Sequence, residues 1–256
     1  MATVRLTMSQ ALTRWMTAQS IEQLDGSIEP AFAGVWAIFG HGNVAGLGEA
    51  LYGVRDQLPT YRGHNEQSMA HIAIAYAKQK QRRRMMAVTT SIGPGATNLA
   101  TAAALAHVNR LPVLLLPGDV FATRAPDPVL QQVESFADGT VSANDCLRPI
   151  SRYFDRITRP EQLLQALPKA MSVLTEPADC GPVTLGLCQD VQAEAWDYPE
   201  SFFAPCVWHM RRISPDAAEL SRAIEILKSA KRPMIVAGGG VRYSGASQAL
   251  TAFADA

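Results

Sequence analysis

The sequence predicts an α/β fold in which helices cover both faces of a mainly parallel sheet. Short runs of almost entirely apolar residues alternate with stretches of helical spacing, as expected for strands that are buried on both faces. Turns that contain glycine follow three of these runs, at residues 40–43, 91–98 and 117–119. Parallel strands joined by right-handed crossovers end at the same edge of a sheet, and ligands bind there. We therefore expect the three turns to form one ligand-binding edge.

Caps, glycines and apolar spacing define the elements of the N-terminal half. Thr7 is a candidate cap for a first helix that has one apolar face. The run 34–39 predicts a strand, and 44–51 predicts the helix after its glycine turn. Another glycine turn leads to Glu66, which we place in the first turn of a helix that ends near residue 80.

The alternation of strands and helices continues along the rest of the predicted sheet. Segment 121–144 is the exception, because it is polar, contains two prolines and is predicted to be irregular. Pro160 suits the start of a helix. The remaining predicted elements are strands at 85–90, 111–116 and 181–187 and helices at about 96–107 and 161–167.

Changes in periodicity suggest how the chain divides into domains. We assign residues 1–195 to the α/β domain, and 196–213 to a linker because this segment has little periodicity. Residues 214–256 are predicted to be the truncated start of a second α/β domain, with Pro215 at the first helical position and a strand at 233–237. A helix–strand–helix piece cannot close a core alone, so we expect the chain to be a fragment of a longer protein.

Composition and charge exclude several classes of function. The 23 Lys and Arg residues balance the 23 Asp and Glu residues, so no global field favours nucleic acid or an anionic membrane. The dense basic run at 80–84 is interpreted as a solvated helix end. The four cysteines form no C-x-x-C pair, and no apolar run approaches the roughly 20 residues of a membrane span. We expect a cytoplasmic protein with no metal site in this chain and no nucleic-acid or membrane partner.

Three local patterns are candidates for chemistry, and each also has a purely structural interpretation. A carboxylate at Glu66 is favoured by the helix dipole, but acids in the first turn commonly do no more than support their helix. The glycines of 40–46 are similar to a dinucleotide fingerprint, although the third glycine comes one place late. The turn at 93–95, Gly-Pro-Gly, either lets the backbone approach a ligand or is a tight strand-to-helix connection. It lacks the Gly-Lys-Ser/Thr of a phosphate-binding Walker loop.

Taken in order, the motifs of the chain resemble the pyrimidine-binding domain of thiamine diphosphate enzymes of the acetolactate synthase type. Residues 214–256 are similar to the start of that family's central domain, so the resemblance covers essentially the whole chain. The motifs that carry it are Phe39-Gly40, Asn65-Glu66-Gln67, Ser91-Ile92-Gly93-Pro94-Gly95-Ala96-Thr97-Asn98, Leu111-Pro112-Val113, Gly181-Pro182-Val183 and Gln189-Asp190-Val191.

Within the family, longer stretches resemble hydrolases that open a cyclic 1,2-dione by carbon–carbon cleavage in myo-inositol catabolism. Two departures from the wider family argue against acetolactate synthesis itself. The histidine that usually precedes the acid is replaced by Asn65, and the usual Tyr/Ile-Pro-Gly-Gly turn is replaced by residues 41–44, His-Gly-Asn-Val. The stretches that carry the closer resemblance are 38–44, 121–132, 152–162 and 200–203.

The resemblance implies roles for individual residues. Glu66 would hydrogen-bond the pyrimidine ring nitrogen of the cofactor, since a carboxylate in a dry cleft has a raised proton affinity. His41 and Gln131 would face the substrate, as proton shuttle and carbonyl partner, although His41 also fits a plain loop position. The histidines interpreted as structural are His64, His71 and His107. The implied cofactor-binding residues are Gly40, Glu66, Thr90, Ser91, Gly93, Pro94 and Asn98.

The resemblance also implies what lies outside this chain. Thiamine diphosphate would need Mg²⁺ held by a further domain, and the active site would form between the subunits of a homodimer or tetramer. The fragment alone is therefore expected to be inactive. Two alternatives stay open, namely a carboligase or decarboxylase like acetolactate synthase, and a non-catalytic module that dimerises through this domain.

Overall fold

The computed structural model describes residues 2–126 and 128–255. Asp127, in one of the stretches that carry the closer resemblance, lies outside the described residues. Contacts divide the chain into two units, Met1–Met210 and Arg211–Ala256. Each unit is described by itself.

Strands and helices alternate along the first unit. Its strands are β1 (Thr3–Thr7), β2 (Gln19–Glu22), β3 (Ile28–Pro30), β4 (Phe32–Ala37), β5 (Thr60–Arg62), β6 (Met85–Thr90), β7 (Val113–Asp119), β8 (Tyr153–Ile157), β9 (Pro182–Cys188), β10 (Ala195–Pro199) and β11 (Cys206–Trp208). Its α-helices are α1 (Met8–Thr17), α2 (Glu49–Gly53), α3 (Glu66–Gln79), α4 (Pro94–Thr97), α5 (Ala100–Asn109) and α6 (Leu163–Leu174).

The central sheet has six strands in the order β5-β4-β6-β7-β9-β8, and every neighbouring pair is parallel. Helices flank the sheet, so the predicted α/β fold is confirmed. Every residue of β6, β7 and β9 is buried, which explains why these strands were predictable as apolar runs. The two edge strands, β5 and β8, are mostly half-exposed or exposed and of mixed polarity, and the sequence pattern did not reveal them.

Local caps explain where two of the helices begin. The Thr7 hydroxyl accepts a hydrogen bond from the backbone N–H of Gln10, whose side chain accepts from the Thr7 backbone N–H in return. This capping box confirms the predicted start of α1. At the start of α3, the Asn65 side chain accepts from the Ser68 backbone N–H, so Glu66 is the first helical residue, as predicted.

The basic run after α3 is not the solvated helix end that we expected. Arg82 and Arg83 are only 8% and 6% exposed. The Arg82 guanidinium donates to the Pro177 carbonyl, and that of Arg83 donates to the Glu22 carbonyl. Their charged groups therefore satisfy main-chain acceptors from other parts of the first unit, which the charge pattern alone could not show.

The segment expected to be a linker, 196–213, is largely built into the first unit. Strand β10 pairs antiparallel with β1, and β11 pairs parallel with β2 in a small sheet that also contains β3. Tyr198 is fully buried, and its hydroxyl donates to the Pro160 carbonyl at 2.9 Å. These strands are short and their partners lie far away in sequence, so periodicity did not reveal them. The predicted limits of the domains, as such, stay a prediction.

The second unit contains α7 (Ala217–Ser229), α8 (Gly239–Tyr243) and α9 (Ser247–Asp255). Helix α7 starts slightly later than predicted because the Asp216 carboxylate caps it, accepting from the backbone N–H groups of Ala218 and Glu219. None of the described residues of this unit is buried. The strand predicted at 233–237 is irregular, since no described strand pairs with it and a strand needs a neighbour.

Candidate active site

The turns after β4 and β6 meet the last residues of β7 at one edge of the central sheet. Residues 117–119, which were predicted to be a turn, are the end of β7 and pair with β9. A Cβ atom on Gly42 would lie 2.9 Å from the backbone nitrogen of Ile92, and one on Gly118 would lie 2.7 Å from the Gly42 carbonyl oxygen. A Cβ atom on Gly40 would overlap the side chain of Ser91. Because these distances leave no room for a side chain, glycine is what allows the turns to pack directly on one another. The structure thus brings together the three segments that the sequence suggested as a ligand-binding edge, two of them as turns and 117–119 as the end of a strand.

Asn43 fastens the first turn to the neighbouring strands. Its buried Nδ2 donates to the Ile38 carbonyl and to the Thr89 hydroxyl, each at 3.1 Å. Its Oδ1 accepts from the Gly40 backbone N–H at 2.9 Å. The Thr89 hydroxyl in turn donates to the Leu116 carbonyl at 2.9 Å. The hydrogen bonds therefore run from the first turn through β6 to β7 and fix the shape of the turn.

Gln192 supports the other side of this turn, and sequence reasoning missed it. It is 2% exposed, and its Nε2 donates to the Gly42 carbonyl at 2.7 Å and to the Leu187 carbonyl at 3.1 Å. Its Oε1 accepts from the Leu47 backbone N–H at 3.3 Å. A Cβ atom on Gly46 would overlap the Gln192 side chain, so the glycine at 46 was the one signal that a neighbour comes close there.

Glu66 lies at the same edge, at the start of α3. Its side chain is half-buried, and its Oε2 accepts a hydrogen bond from Asn98 Nδ2 at 2.8 Å. Its Oε1 lies 3.2 Å from the position that a Cβ atom on Gly95 would take. Within the part of the chain that the structure describes, Oε1 has no hydrogen-bond partner. One carboxylate oxygen is therefore held in place, and the other can accept a hydrogen bond from a ligand.

Gly93 begins the turn between β6 and α4, with φ +61°. A Cβ atom there would overlap the backbone carbonyl of Gln131, so the two main chains are in direct contact. Gln131 also has positive φ and its side chain is exposed. Its neighbour Gln132 is 1% exposed, and its Nε2 donates to Gln189 Oε1 at 3.2 Å. The structure thus brings the main chain of Gln131 to the turn and leaves its side chain at the surface.

In the turns after β4 and β6, two polar atoms are buried without a partner. His41 Nε2 and Ser91 Oγ are both shielded from solvent, and neither has a hydrogen-bond partner among the described residues. The Thr90 hydroxyl, by contrast, donates to the Ser91 carbonyl at 2.9 Å, and Pro94 occupies the first position of α4. A buried polar atom without a partner destabilises a protein unless a ligand or water supplies one. These two atoms therefore fit a site for a bound molecule.

A buried ion pair lies at the C-terminal end of β7. Arg156 Nε donates to Asp119 Oδ2 at 2.9 Å, and the Asp119 side chain is 1% exposed. Burial by itself lowers the pKa of Arg156, but attraction to Asp119 and hydrogen bonds to Asp119 and Asp145 raise this pKa above its ordinary value. Asp119 and Arg156 are 37 positions apart, so no local motif could reveal the pair.

The Asp145 carboxylate extends this charged network. Burial raises its pKa, but hydrogen bonds from the Ser142 backbone N–H and from Arg156 and Arg148 outweigh burial, so the pKa lies below its ordinary value. Arg156 and Asp145 therefore both carry charge at neutral pH.

The other histidines singled out in the sequence lie outside these contacts. His107 Nδ1 donates to the Ile150 carbonyl at 3.0 Å, which supports a structural role, whereas His64 is exposed and His71 half-buried. Among the described residues, no group of three or more His, Cys, Asp or Glu side chains is suited to a metal ion. No helix in the described ranges is long and apolar enough to cross a membrane.

Comparison with known proteins links this edge to a family. Residues 33–138 match the family model of the thiamine pyrophosphate enzyme N-terminal TPP binding domain. Residues 220–256 match the model of the thiamine pyrophosphate enzyme central domain. Thiamine pyrophosphate and thiamine diphosphate are two names for one cofactor. The first match includes all the cofactor-binding and catalytic candidates, from Gly40 to Gln131.

The chain is also similar along its whole length to curated hydrolases. A 3D-(3,5/4)-trihydroxycyclohexane-1,2-dione hydrolase from Geobacillus thermodenitrificans is 53% identical over 255 residues, 100% of this chain and 40% of that protein. A 3D-(3,5/4)-trihydroxycyclohexane-1,2-dione hydrolase 2 from Bacillus cereus is 53% identical over 256 residues, with the same coverage. The chain thus spans 40% of the length of these relatives. With both domain models matched in order, the chain belongs to the thiamine pyrophosphate enzymes.

Proposed function

We propose that this chain is the N-terminal part of a thiamine diphosphate-dependent hydrolase that opens trihydroxycyclohexane-1,2-dione by carbon–carbon cleavage in myo-inositol catabolism. The assignment of the substrate is based on the names of the relatives. The observation that carries the proposal is the geometry of Glu66, whose Oε2 is held by Asn98 while Oε1 is available to a ligand. Because the chain spans 40% of those relatives, the activity belongs to a longer enzyme, and the chain alone is inactive.

The residues at this edge fit the pyrimidine end of the cofactor. Bound thiamine diphosphate supplies a nucleophilic carbon and an electron sink. Glu66 would share a proton with a pyrimidine ring nitrogen of the bound cofactor through Oε1, and Asn98 would keep the carboxylate in the orientation that this hydrogen bond needs. Gly95 has no side chain beside Glu66 Oε1, so a flat ring can approach the carboxylate there. Gly40, Thr90, Ser91 and Pro94 are assigned to the same cofactor site.

His41 and Gln131 are assigned to the substrate side. His41 Nε2 is buried and lacks a partner among the described residues, so it can give or accept a proton at a substrate oxygen. The Gln131 side chain is exposed and has to turn inward to bind a substrate carbonyl. The Gln131 assignment therefore requires a change of side-chain conformation when substrate binds.

The proposal extends to groups outside this chain. Mg²⁺ and the diphosphate bind to a domain that this chain does not contain, and the active site is completed by the second subunit of a homodimer or tetramer. The protein is cytoplasmic, and the four cysteines, all of them free thiols, fit a reducing compartment.

The test uses the longer enzyme that contains this sequence, with thiamine diphosphate, Mg²⁺ and trihydroxycyclohexane-1,2-dione. Ring-opened acid is followed by mass spectrometry. We expect Glu66→Gln to lower the rate of acid formation by about 10²- to 10⁴-fold, because the carboxylate no longer exchanges a proton with the cofactor. Glu49→Gln is the matched control, since Glu49 is also in the first turn of a helix but is exposed and outside the site.

Different outcomes separate the alternatives. If the enzyme formed carboligation or decarboxylation products and still depended on Glu66, the assignment to the family would hold. The proposed hydrolase activity would then be replaced by a carboligase or decarboxylase activity. Cofactor binding with no turnover of any kind would favour the non-catalytic module. Equal acid formation by Glu66→Gln and Glu49→Gln would remove Glu66 from the mechanism.

A further inference from the structure

The loop of residues 128–142 lies directly on the turn that begins with Gly93. The Gln131 carbonyl oxygen occupies the place where a Cβ atom on Gly93 would be, and Val133 Cγ2 is 3.4 Å from the same position. Most of the loop is nevertheless exposed to solvent, including the Val133 side chain. Contacts elsewhere must therefore hold the loop in place.

Arg156, on β8, makes the strongest of these contacts. Its side chain is 15% exposed, and its Nε donates to Asp119 Oδ2 at 2.9 Å. Its terminal nitrogens donate to the Thr140 carbonyl at 2.9 Å and, at 2.8 Å each, to the Ser142 hydroxyl and the Asp145 carboxylate. One guanidinium thus joins the sheet to the last residues of the loop and to the segment just after it, and charge-assisted hydrogen bonds of this kind are the strong ones.

Asp119 connects this guanidinium to the candidate active site. It is the last residue of β7 and follows Gly118, which packs on the Gly42 carbonyl too closely for a Cβ atom. Its Oδ1 accepts from the Val120 backbone N–H at 2.8 Å. Asn144, two residues after the loop, donates to the Gly118 carbonyl at 2.9 Å. One hydrogen-bond network therefore holds both the end of the loop and the end of β7 at the site.

The other anchors of this region carry no ion pair to the loop. Gln132 Nε2 donates to Gln189 Oε1 near the start of the loop. Asp190 accepts from the backbone N–H groups of Ala122 and Thr123, before the loop begins. The Arg124 guanidinium donates to the Gly139 carbonyl, and the Asp145 carboxylate accepts from the Ser142 backbone N–H. Among the described residues, Arg156 is the group that links Thr140 and Ser142 to the buried Asp119 carboxylate.

We propose that Arg156 is a positioning residue that, together with Asp119, holds the 128–142 loop against the Gly93 turn. The loop forms the substrate-side wall of the site, so Arg156 acts on substrate binding through Gln131 and its neighbours. The effect on substrate binding rests on the proposed function, whereas the positioning of the loop depends on the fold alone.

Hydrogen exchange followed by mass spectrometry tests the positioning of the loop in this chain, without cofactor. Replacing Arg156 alone leaves Asp119 buried without its partner and threatens folding, so the main variant is Asp119→Asn/Arg156→Gln, which removes both charges. We expect the amides of 128–142 to exchange about tenfold faster, while those of β6 and β7 keep their protection. Arg156→Lys, which retains one charge but not four hydrogen bonds, is expected to fold normally and to restore only part of the protection.

Arg148→Gln is the matched control. Arg148 donates to the same Asp145 carboxylate, through Oδ1, but its side chain is 59% exposed and its guanidinium otherwise lies over the Phe154 ring. We expect this variant to leave loop exchange unchanged. Unchanged exchange in a folded Asp119→Asn/Arg156→Gln chain, or equal acceleration by Arg148→Gln, would overturn the positioning role.

The longer enzyme tests whether Arg156 acts on substrate binding. With cofactor and dione, the paired variant is expected to raise KM about tenfold with a smaller change in kcat, because the substrate wall is displaced while Glu66 and Asn98 are untouched. A lower kcat with unchanged KM would contradict it. If no variant and no parent enzyme forms acid, the proposed function fails, and the exchange experiment still decides on Arg156.

Discussion

The two units of this chain contain the same local signals for helices but differ in how far the apolar faces of those helices are buried. Thr7 caps α1 and Asp216 caps α7, and each helix has apolar residues at helical spacing. In the first unit the apolar face of α1 is buried, with Leu12 at 0% exposure. In the second unit the corresponding residues are exposed, with Leu220 at 47%. Caps and spacing therefore decide that a helix forms, and its packing partners decide whether it stabilises a fold.

The same contrast holds for strands. The apolar run at 85–90 became β6 because β4 and β7 pair with it on its two sides. The apolar run at 233–237 pairs with no described strand and is irregular. A strand makes its backbone hydrogen bonds with neighbouring strands. An apolar run therefore forms a strand only where a neighbouring strand pairs with it.

The largest expected difference between the units comes from removing a leucine side chain. We expect Leu12→Ala to lower the free energy of unfolding of the first unit by about 2–5 kcal/mol, because it leaves a cavity in a closed core. Leu220→Ala is the matched change in the second unit and is expected to alter that free energy by less than about 0.5 kcal/mol. Urea unfolding followed by fluorescence measures both. Equal losses would mean that the second unit is part of the same cooperative core.

What the sequence could predict follows the same division. The cap at Thr7, the buried central strands and the position of Glu66 at a helix start depend on residues close together in the chain. The family resemblance assigned Glu66 and Asn98 to one cofactor site, but it did not predict the hydrogen bond between them. Gln192 could not be predicted, because the Leu47 N–H that it accepts from is 145 positions away.

The edge strands and the burial of the basic run could not be predicted, for a related reason. Strand β8 is half-exposed, so its residues are not selected for the unbroken apolar character that marks β6 or β7. Arg82 and Arg83 have the composition of a surface cluster, yet they are buried against main-chain carbonyls. The composition of this run suggests that its charged side chains are exposed to solvent. It does not show that carbonyl groups from distant segments accept their hydrogen bonds.

Glycine provides a second, smaller contrast between the units. Gly93→Ala combines a positive φ with an overlap on the Gln131 carbonyl, and we expect a loss of about 1–3 kcal/mol from backbone strain, with a further cost from displacing the loop. Gly240, in α8, has nothing within 4 Å of its Cβ position, so Gly240→Ala is expected to leave the unfolding of the first unit unchanged. Thermal unfolding compares the two variants. A stable Gly93→Ala chain with normal exchange in the 128–142 loop would show that this turn does not require glycine.

The smallest effect is expected from removing the second unit altogether. The core of the first unit is formed by residues up to Phe203, with Met210 among the partly buried residues that pack against it. A chain that ends after Met210 therefore retains all the residues that form that core. We expect its Tm to lie within about 2–4 °C of the parent chain, which corresponds to roughly 1 kcal/mol for a domain of this size. A larger drop would show that residues 211–255 stabilise the first unit in solution, and the Leu220→Ala variant would then identify whether the apolar face of α7 is responsible.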